Sequence, residues 1–238
     1  MQPSLADNGW GMRQTWSKLL FAHWPVKPDV LRPLIPSGLV LDTFEGEAWV
    51  GVVPFYMSNV RFRYAPPFPT TTHFCELNVR TYVMPKGGKP GVWFFSLDAA
   101  STLAVMGARV AFHLPYYRAS MRLTATSNEI HYSSRRNSQT AAFEGHYQPT
   151  GDVYRSQAGT LEHWLTERYC LYAMDGRGKL YQGDILHDQW PLQPASADIA
   201  LNTMALASEI VLPDTQPLLH YAERLDVRAW FLRCISIS

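Results

Sequence analysis

A β-rich α+β domain with mostly antiparallel strands is the fold this sequence predicts. Three observations carry it: period-two segments recur between glycine-containing turns, aromatic residues reach 13%, which suits packing across pleated faces, and helix signals are few. Residues 1–12 lack periodicity and read as a loose lead-in, with residues 13–238 forming one domain. Pro28 opens a short helical turn. Residues 39–44 and 48–56 flank Glu45-Gly46-Glu47 as a hairpin, and 74–84 and 92–97 flank a second turn holding Gly87, Gly88 and Gly91. Asp98 or Ser101 can cap a helix over 102–112, which Pro115 ends. Residues 117–124 and 129–134 pair across Thr126-Ser127-Asn128. Thr160 can cap a helix over 161–167, and 168–174 and 179–186 pair across Asp175-Gly176-Arg177-Gly178. Residues 196–210 read as a further helix. Successive hairpins imply an antiparallel meander, closed or nearly closed to hide its edges. The proline-rich stretch 64–69 reads as a long loop inside that domain.

Composition narrows the function classes. Hydrophobic residues make up 47% of the 238 and charged residues only 17%, which favours one packed body over a disordered or coiled-coil chain. A net charge of +1 offers no general attraction for nucleic acid or anionic lipid. The basic pairs Arg61/Arg63 and Arg135/Arg136 read as solvated charge at loops or strand ends rather than as a phosphate site. Cys75, Cys170 and Cys234 are odd in number and widely spaced, and no signal peptide is evident, so a reduced cytoplasmic protein is expected. No apolar run reaches the ~18–20 residues of a membrane helix. The expected partner is a small-molecule ligand, with neither nucleic acid nor membrane, and self-association is left open.

The motifs of common enzymes are missing. There is no G-x-S-x-G elbow, H-E-x-x-H pair, P-loop or G-x-G-x-x-G. The eight histidines show no local ligand spacing, so no metal and no cofactor is expected. A Schiff-base lysine must be neutral near pH 7, which requires an apolar pocket or a neighbouring cation. Lys86, Lys89 and Lys179 sit in glycine-rich turns, Lys27 lies between prolines, and Lys18 reads as a snorkelling side chain.

The strand around residues 74–83 is the most informative segment. Alternation puts Glu76, Asn78, Arg80 and Tyr82 on one face and Cys75, Leu77, Val79, Thr81 and Val83 on the other. On an ordinary sheet the polar face would be solvated; inside a small barrel it would surround a ligand. Glu76 and Arg80 are about 13 Å apart along such a strand, with Asn78 between them as a bridge. A buried Glu76 would transfer protons and Arg80 would anchor a carboxylate. A second cluster, Arg109 with His113-Leu114-Pro115-Tyr116-Tyr117-Arg118, lies at a helix–strand junction. Adjacent aromatics there read either as packing or as a pocket wall, in which Tyr116, Tyr117 and Arg118 would be substrate-binding groups.

Several stretches in order resemble the YqjF-like group of uncharacterised conserved proteins. They are Phe21-Ala22-His23-Trp24-Pro25-Val26, Trp49-Val50-Gly51-Val52-Val53-Pro54-Phe55, Glu76-Leu77-Asn78-Val79-Arg80-Thr81-Tyr82-Val83, Gly91-Val92-Trp93-Phe94-Phe95-Ser96-Leu97-Asp98-Ala99, Leu114-Pro115-Tyr116-Tyr117-Arg118-Ala119 and Leu165-Thr166-Glu167-Arg168-Tyr169. The resemblance runs from about residue 16 to residue 230; residues 231–238 do not look like the group's usual ending. Kinship of this group with acetoacetate decarboxylase-like proteins implies an antiparallel β-barrel or cone with peripheral helices and an internal pocket. In the decarboxylase a proline precedes two lysines, one of which forms the Schiff base while the other lowers its pKa. The similar segment here is Pro115-Tyr116-Tyr117, so Schiff-base decarboxylation is not expected, and Glu76 is the counterpart of the decarboxylase's strand-end carboxylate.

Three functional readings follow: an enzyme without a covalent lysine, acting on a small organic acid or carbonyl compound through Glu76; a non-catalytic binding or sensing protein; and a protein-interaction module using exposed aromatics near Tyr64. Fold kinship alone does not choose among them.

Overall fold

The computed structural model describes residues 9–64, 73–101, 112–127, 129–138 and 140–235. The expected helix over 102–112 lies, apart from its last residue, outside the described residues, as do Arg109 and residues 65–69 of the proline-rich loop. Among the described residues the strands are β1 (Met12–Val26), β2 (Val40–Leu41), β3 (Ala48–Phe62), β4 (His73–Met84), β5 (Gly91–Ala99), β6 (Tyr116–Ala125), β7 (Ile130–Arg136), β8 (Ala142–Pro149), β9 (Cys170–Met174), β10 (Leu180–His187), β11 (Leu192–Asn202), β12 (Leu218–Ala229) and β13 (Arg233–Ile235). Two short helices, α1 (Pro28–Leu31) and α2 (Leu161–Thr166), sit outside the sheet and are pinned by the fully buried Leu31 and Leu165. Thr160 caps α2 as expected, its hydroxyl accepting from the His163 N–H at 3.4 Å.

The strands close into a nine-strand barrel in the order β5-β6-β7-β8-β11-β12-β1-β3-β4, with β4 returning to β5. A second arch, β9-β10, also runs from β5 to β12. β5 pairs in parallel with β6 through Leu97–Ala99 and with β9 through Val92 and Trp93. β12 pairs with β11 around Ala222 and with β10 around Ala229. The hairpin signals therefore identify most strands, and the expected mostly antiparallel barrel is the observed one, with these two parallel pairings in it. Gly91 permits the β5–β9 approach, because a Cβ there would lie 2.7 Å from the Cys170 carbonyl oxygen.

Consequently β1, β3 and β4 form a wall between two interiors. All residues of β4 from Phe74 to Val83 are buried. Cys75, Leu77, Val79 and Val83 join the barrel core with Leu20, Val52, Tyr132 and Phe143. On the other side, Phe74 packs with Phe21, Val53, Phe55, Leu97 and Trp190 beneath the β9–β10 arch. Two β-bulges keep this second lining continuous. Lys18 has a positive φ of 52°, and the β1–β3 register shifts by one residue, so Trp16 and then Leu19 and Phe21 face the same side. Asn59, at φ 55°, does the same on β3, where Met57 is followed by Val60; asparagine tolerates this backbone better than most residues.

Three expectations are corrected. Residues 196–210 are not a helix: β11 occupies 192–202 and only Leu206–Ser208 form a helical turn. The alternation of Ala195, Ala197, Ile199 and Leu201 with Ser196, Asp198 and Ala200 overrides the helix propensity of this alanine-rich stretch. Residues 39–44 do not pair with β3: Phe44 makes only an isolated bridge to Glu47 across the turn, and β2 pairs with β4, Val40 opposite Met84. Arg136 is not solvated. It is buried and bidentate to Asp98, with Nη2 donating to Oδ1 at 2.6 Å and Nε donating to both carboxylate oxygens at 3.1 Å. Its guanidinium covers the Tyr117 ring at 3.8 Å.

This ion pair stitches β5 to β7 over the intervening β6, and breaking it leaves a buried charge. Asp98→Ala is expected to lower stability in urea unfolding by about 3–5 kcal/mol. Asp98→Leu combined with Arg136→Met should recover most of that loss.

Candidate functional site

The wall carries the polar residues of β4 into a cavity of about 190 Å³ under the β9–β10 arch, below the ~300–1,000 Å³ of drug-sized sites. Trp16, Phe55, Phe74, Phe94, Leu97 and Trp190 make it largely apolar, and Glu76, Asn78, Arg80, Tyr116, Arg168 and His187 are set into that lining. Strand register orders the groups: Met57 stands opposite Phe74, Phe55 opposite Glu76, Val53 opposite Asn78 and Gly51 opposite Arg80. Gly51 leaves room for Arg80, since a Cβ there would lie 3.5 Å from the arginine Cγ and 3.0 Å from the His23 ring.

Glu76 is 3% exposed. The Tyr116 hydroxyl donates to its Oε2 at 3.0 Å, and the Tyr132 hydroxyl, from the barrel side, donates to its backbone carbonyl at 2.7 Å. Burial pushes the Glu76 carboxyl up to about 8; the Tyr116 hydrogen bond opposes this and the nearby Asp98 charge adds to it. At neutral pH the group is therefore mostly a carboxylic acid. Burial and the neighbouring Glu76 raise Tyr116 well above the ordinary phenol value.

At the other end of the β4 face, Arg80 is 8% exposed. Among the described residues no carboxylate pairs with it, and its buried Nε has no hydrogen-bond partner. Its guanidinium lies 5.3 Å from the Phe21 ring centre and 5.9 Å from that of Tyr82. Arg168 meets the same Tyr82 ring at 4.9 Å. It is held by Asp42 (Nη1 to Oδ2, 2.6 Å) and by the Trp164 carbonyl, while its Nη2 is unpartnered. The Trp16 and Trp190 rings stack with their centres 5.8 Å apart, and their buried indole nitrogens also have no acceptor among the described residues. Unsatisfied donors thus collect around this cavity, a pattern that fits an oxygen-rich anion. Burial, with help from the Arg80 charge, holds His23 well below its ordinary value, so the imidazole that shares a 2.7 Å hydrogen bond with the Tyr82 hydroxyl is neutral.

The structure therefore brings Glu76, Asn78, Arg80 and Tyr116 to one cavity. Asn78 does not bridge Glu76 and Arg80, for its Oδ1 is unpartnered. Tyr82 supports the cavity from beneath the two guanidiniums rather than lining it. Tyr117 and Arg118 lie elsewhere: alternation along β6 turns Tyr117 toward Arg136, and Arg118 is exposed. The sequence reading did not identify Arg168, His187, Trp16 or Trp190 as lining residues. Arg168 sits in the short link between α2 and β9, where no periodicity marks it. None of the five lysines lines the cavity. Among the described residues no cluster of three or more histidines, cysteines or carboxylates is placed to hold a metal, and no helix is long and apolar enough to cross a membrane.

The Glu76 shift has a measurable consequence. Its carboxyl titrates near 4.5 unfolded and near 8 folded. The folded state thus binds the extra proton between those values, and stability falls as pH rises through that window. Thermal unfolding followed from pH 5 to above 8 should show this decline in the wild type and a flatter profile in Glu76→Gln, the variant becoming the more stable form at the alkaline end.

Comparison with known proteins adds relatives to this geometry. The chain is 50% identical over 231 residues to the uncharacterized protein YqjF of Bacillus subtilis (strain 168), covering 97% of this chain and 95% of that one. Its fold is similar to acetoacetate decarboxylase from Legionella pneumophila, with a TM-score of 0.65, 14% identity and coverage of 99% and 92%. It is also similar to the enduracididine biosynthesis enzyme MppR, solved in complex with pyruvate, with a TM-score of 0.66, 11% identity and coverage of 99% and 94%. An acetoacetate decarboxylase-like enzyme from Sphingomonas wittichii RW1 gives a TM-score of 0.66 at 12% identity, over 95% and 93% of the two chains. The expected acetoacetate decarboxylase-like architecture is thus the observed one. The model of uncharacterized conserved proteins named DUF2071 matches residues 13–226, and the chain belongs to that family.

Proposed function

We propose that the cavity binds a small organic acid or carbonyl compound and that Glu76 moves a proton to or from it without a covalent lysine intermediate. The carrying observation is the pairing, in one apolar cavity, of a carboxyl that burial pushes up to about 8 and a buried arginine that has no carboxylate partner among the described residues. A general acid or base works best with a pKa near the operating pH, and burial supplies that value here. Tyr116 orients the Glu76 carboxyl through its hydrogen bond and occupies the segment where the decarboxylase motif has its lysine pair. Arg80 and the unpartnered Nη2 of Arg168 supply the donors for a carboxylate. A fold neighbour solved with pyruvate supports a ligand of this size and charge. Proton transfer in such a site interconverts a carbonyl compound and its enolate: ionised Glu76 takes the carbon-bound proton, the electron pair of the C–H bond passes to the carbonyl oxygen as the enolate forms, and protonated Glu76 returns the proton to carbon.

The lack of any lysine in the lining favours a second reading, a non-catalytic receptor for the same ligand class. Turnover separates the two. Thermal shifts with acetate, pyruvate, 2-oxobutyrate, acetoacetate and acetone should show stabilisation by at least one carboxylate, through linkage. Proton NMR in D₂O should then show deuterium entering the carbon next to the carbonyl of a bound 2-oxo acid. Glu76→Gln should abolish that exchange while keeping the thermal shift. Exchange that persisted in Glu76→Gln, no stabilisation by any acid, or borohydride trapping of ligand on a lysine would each overturn the proposal. Exchange absent in the wild type, with stabilisation retained, would select the receptor.

Arg80→Met gives an independent prediction. It removes a buried uncompensated charge, so the ligand-free variant should be more stable than wild type by about 1 kcal/mol or more in urea unfolding. The stabilisation by carboxylates should be lost in the same variant.

A further inference from the structure

The cavity is basic at one end and apolar at the other. Along β4 its lining side chains run Phe74, Glu76, Asn78, Arg80, so Glu76 stands between the two ends. At the first end Arg80 and Arg168 meet over the Tyr82 ring. Past Glu76 in the other direction, Met57 of β3 stands opposite Phe74, and Val60 and Phe62 follow it after the bulge at Asn59. Met12 of β1 lies between Phe62 and Ala229, with Ile185 of β10 beyond Ala229. Phe62 is 41% exposed, so the apolar lining runs out to the surface.

Size and charge both bear on what fits. The cavity of about 190 Å³ exceeds the apolar cavity of about 150 Å³ that takes benzene. Pyruvate has as many non-hydrogen atoms as benzene and would leave part of the apolar end unfilled, with contacts forfeited there. About two or three more carbons would fill it. Gln14, between Met12 and Trp16, adds an amide to this stretch of the lining. The other carboxylate of the lining besides Glu76 is Asp184, held by Lys89 at 2.9 Å and by Arg233 at 2.8 Å. A second carboxylate on a ligand would therefore meet a like charge there, with its cations already engaged.

We propose that the ligand is a 2-oxo monocarboxylic acid whose alkyl side chain has about three or four carbons. This rests on the reading of Arg80 as the carboxylate anchor. With the carboxylate held there and the carbon next to the carbonyl at Glu76, the remainder of the side chain runs toward Phe74, Met57 and Val60. Each methylene buried against them strengthens binding by at least about threefold. Met57 and Val60 thus set the chain length, a role separate from anchoring the acid and from moving the proton.

Isothermal titration of the full chain with pyruvate, 2-oxobutyrate, 2-oxohexanoate and 2-oxoglutarate tests this. 2-Oxohexanoate should bind about tenfold more tightly than 2-oxobutyrate, and 2-oxobutyrate more tightly than pyruvate. 2-Oxoglutarate, of similar length but with a second charge, should bind at least about tenfold more weakly than 2-oxohexanoate. Val60→Trp, at a half-buried position, should fill the apolar end and weaken 2-oxohexanoate by about tenfold or more, and Met57→Phe should act in the same direction. Three results would overturn the proposal while leaving the carboxylate site standing: pyruvate binding with affinity flat or falling as the chain lengthens, 2-oxoglutarate binding more tightly than 2-oxohexanoate, or a length dependence unchanged in both variants. Failure of every acid to bind would instead overturn the carboxylate reading itself, and this inference with it.

Discussion

β4 has no solvent face, and the organisation of the molecule follows from that constraint. A strand buried on both sides needs a packed partner on each, and one barrel supplies only one interior. The β9–β10 arch supplies the other. It borrows β5 and β12, the two strands that fork, and roofs the wall formed by β1, β3 and β4. The larger interior is filled with leucine, valine and tyrosine and acts as the packed core. The smaller one receives the even-numbered side chains of β4 and is left incompletely filled.

This division explains how Glu76 and Arg80 can be buried without being satisfied in the usual way. Their backbones are fixed by ladders on both sides of β4, and Tyr132 reaches through from the barrel core to hold the carbonyl of Glu76. The side chains therefore cannot retreat to water. The scaffold carries the desolvation, and the groups keep the perturbed protonation and the unmet hydrogen-bonding capacity that such burial produces.

The hairpins were legible because glycine turns and period-two runs are local signals, and Thr160 marked α2 for the same reason. The polar face of β4 was legible as a face, but its direction was not: alternation says which residues share a side, and only the long-range β5–β9 and β10–β12 pairings say that both sides are inside. The same limit applies to Arg136, whose partner Asp98 is 38 residues away, and to Arg168, placed by a link rather than by a periodic element. β11 read as helix because alanine and leucine favour helix in isolation, while its partner β8 imposes the strand. Tyr116 and Tyr117 show the finest grain of the difference: one residue of alternation sends the first to Glu76 and the second to Arg136.

A wall shared by two rooms also separates two kinds of consequence that a substitution can have. Substitutions at Cys75, Leu77 or Val79 disturb the packing that folds the chain, whereas Asn78 and Arg80 contribute no ion pair on which that packing relies. The furniture of the smaller room can therefore be exchanged, residue by residue along one strand, without rebuilding the house, whereas an insertion or deletion in β4 would exchange the contents of the two rooms, since a slip of one position turns every side chain to the other face.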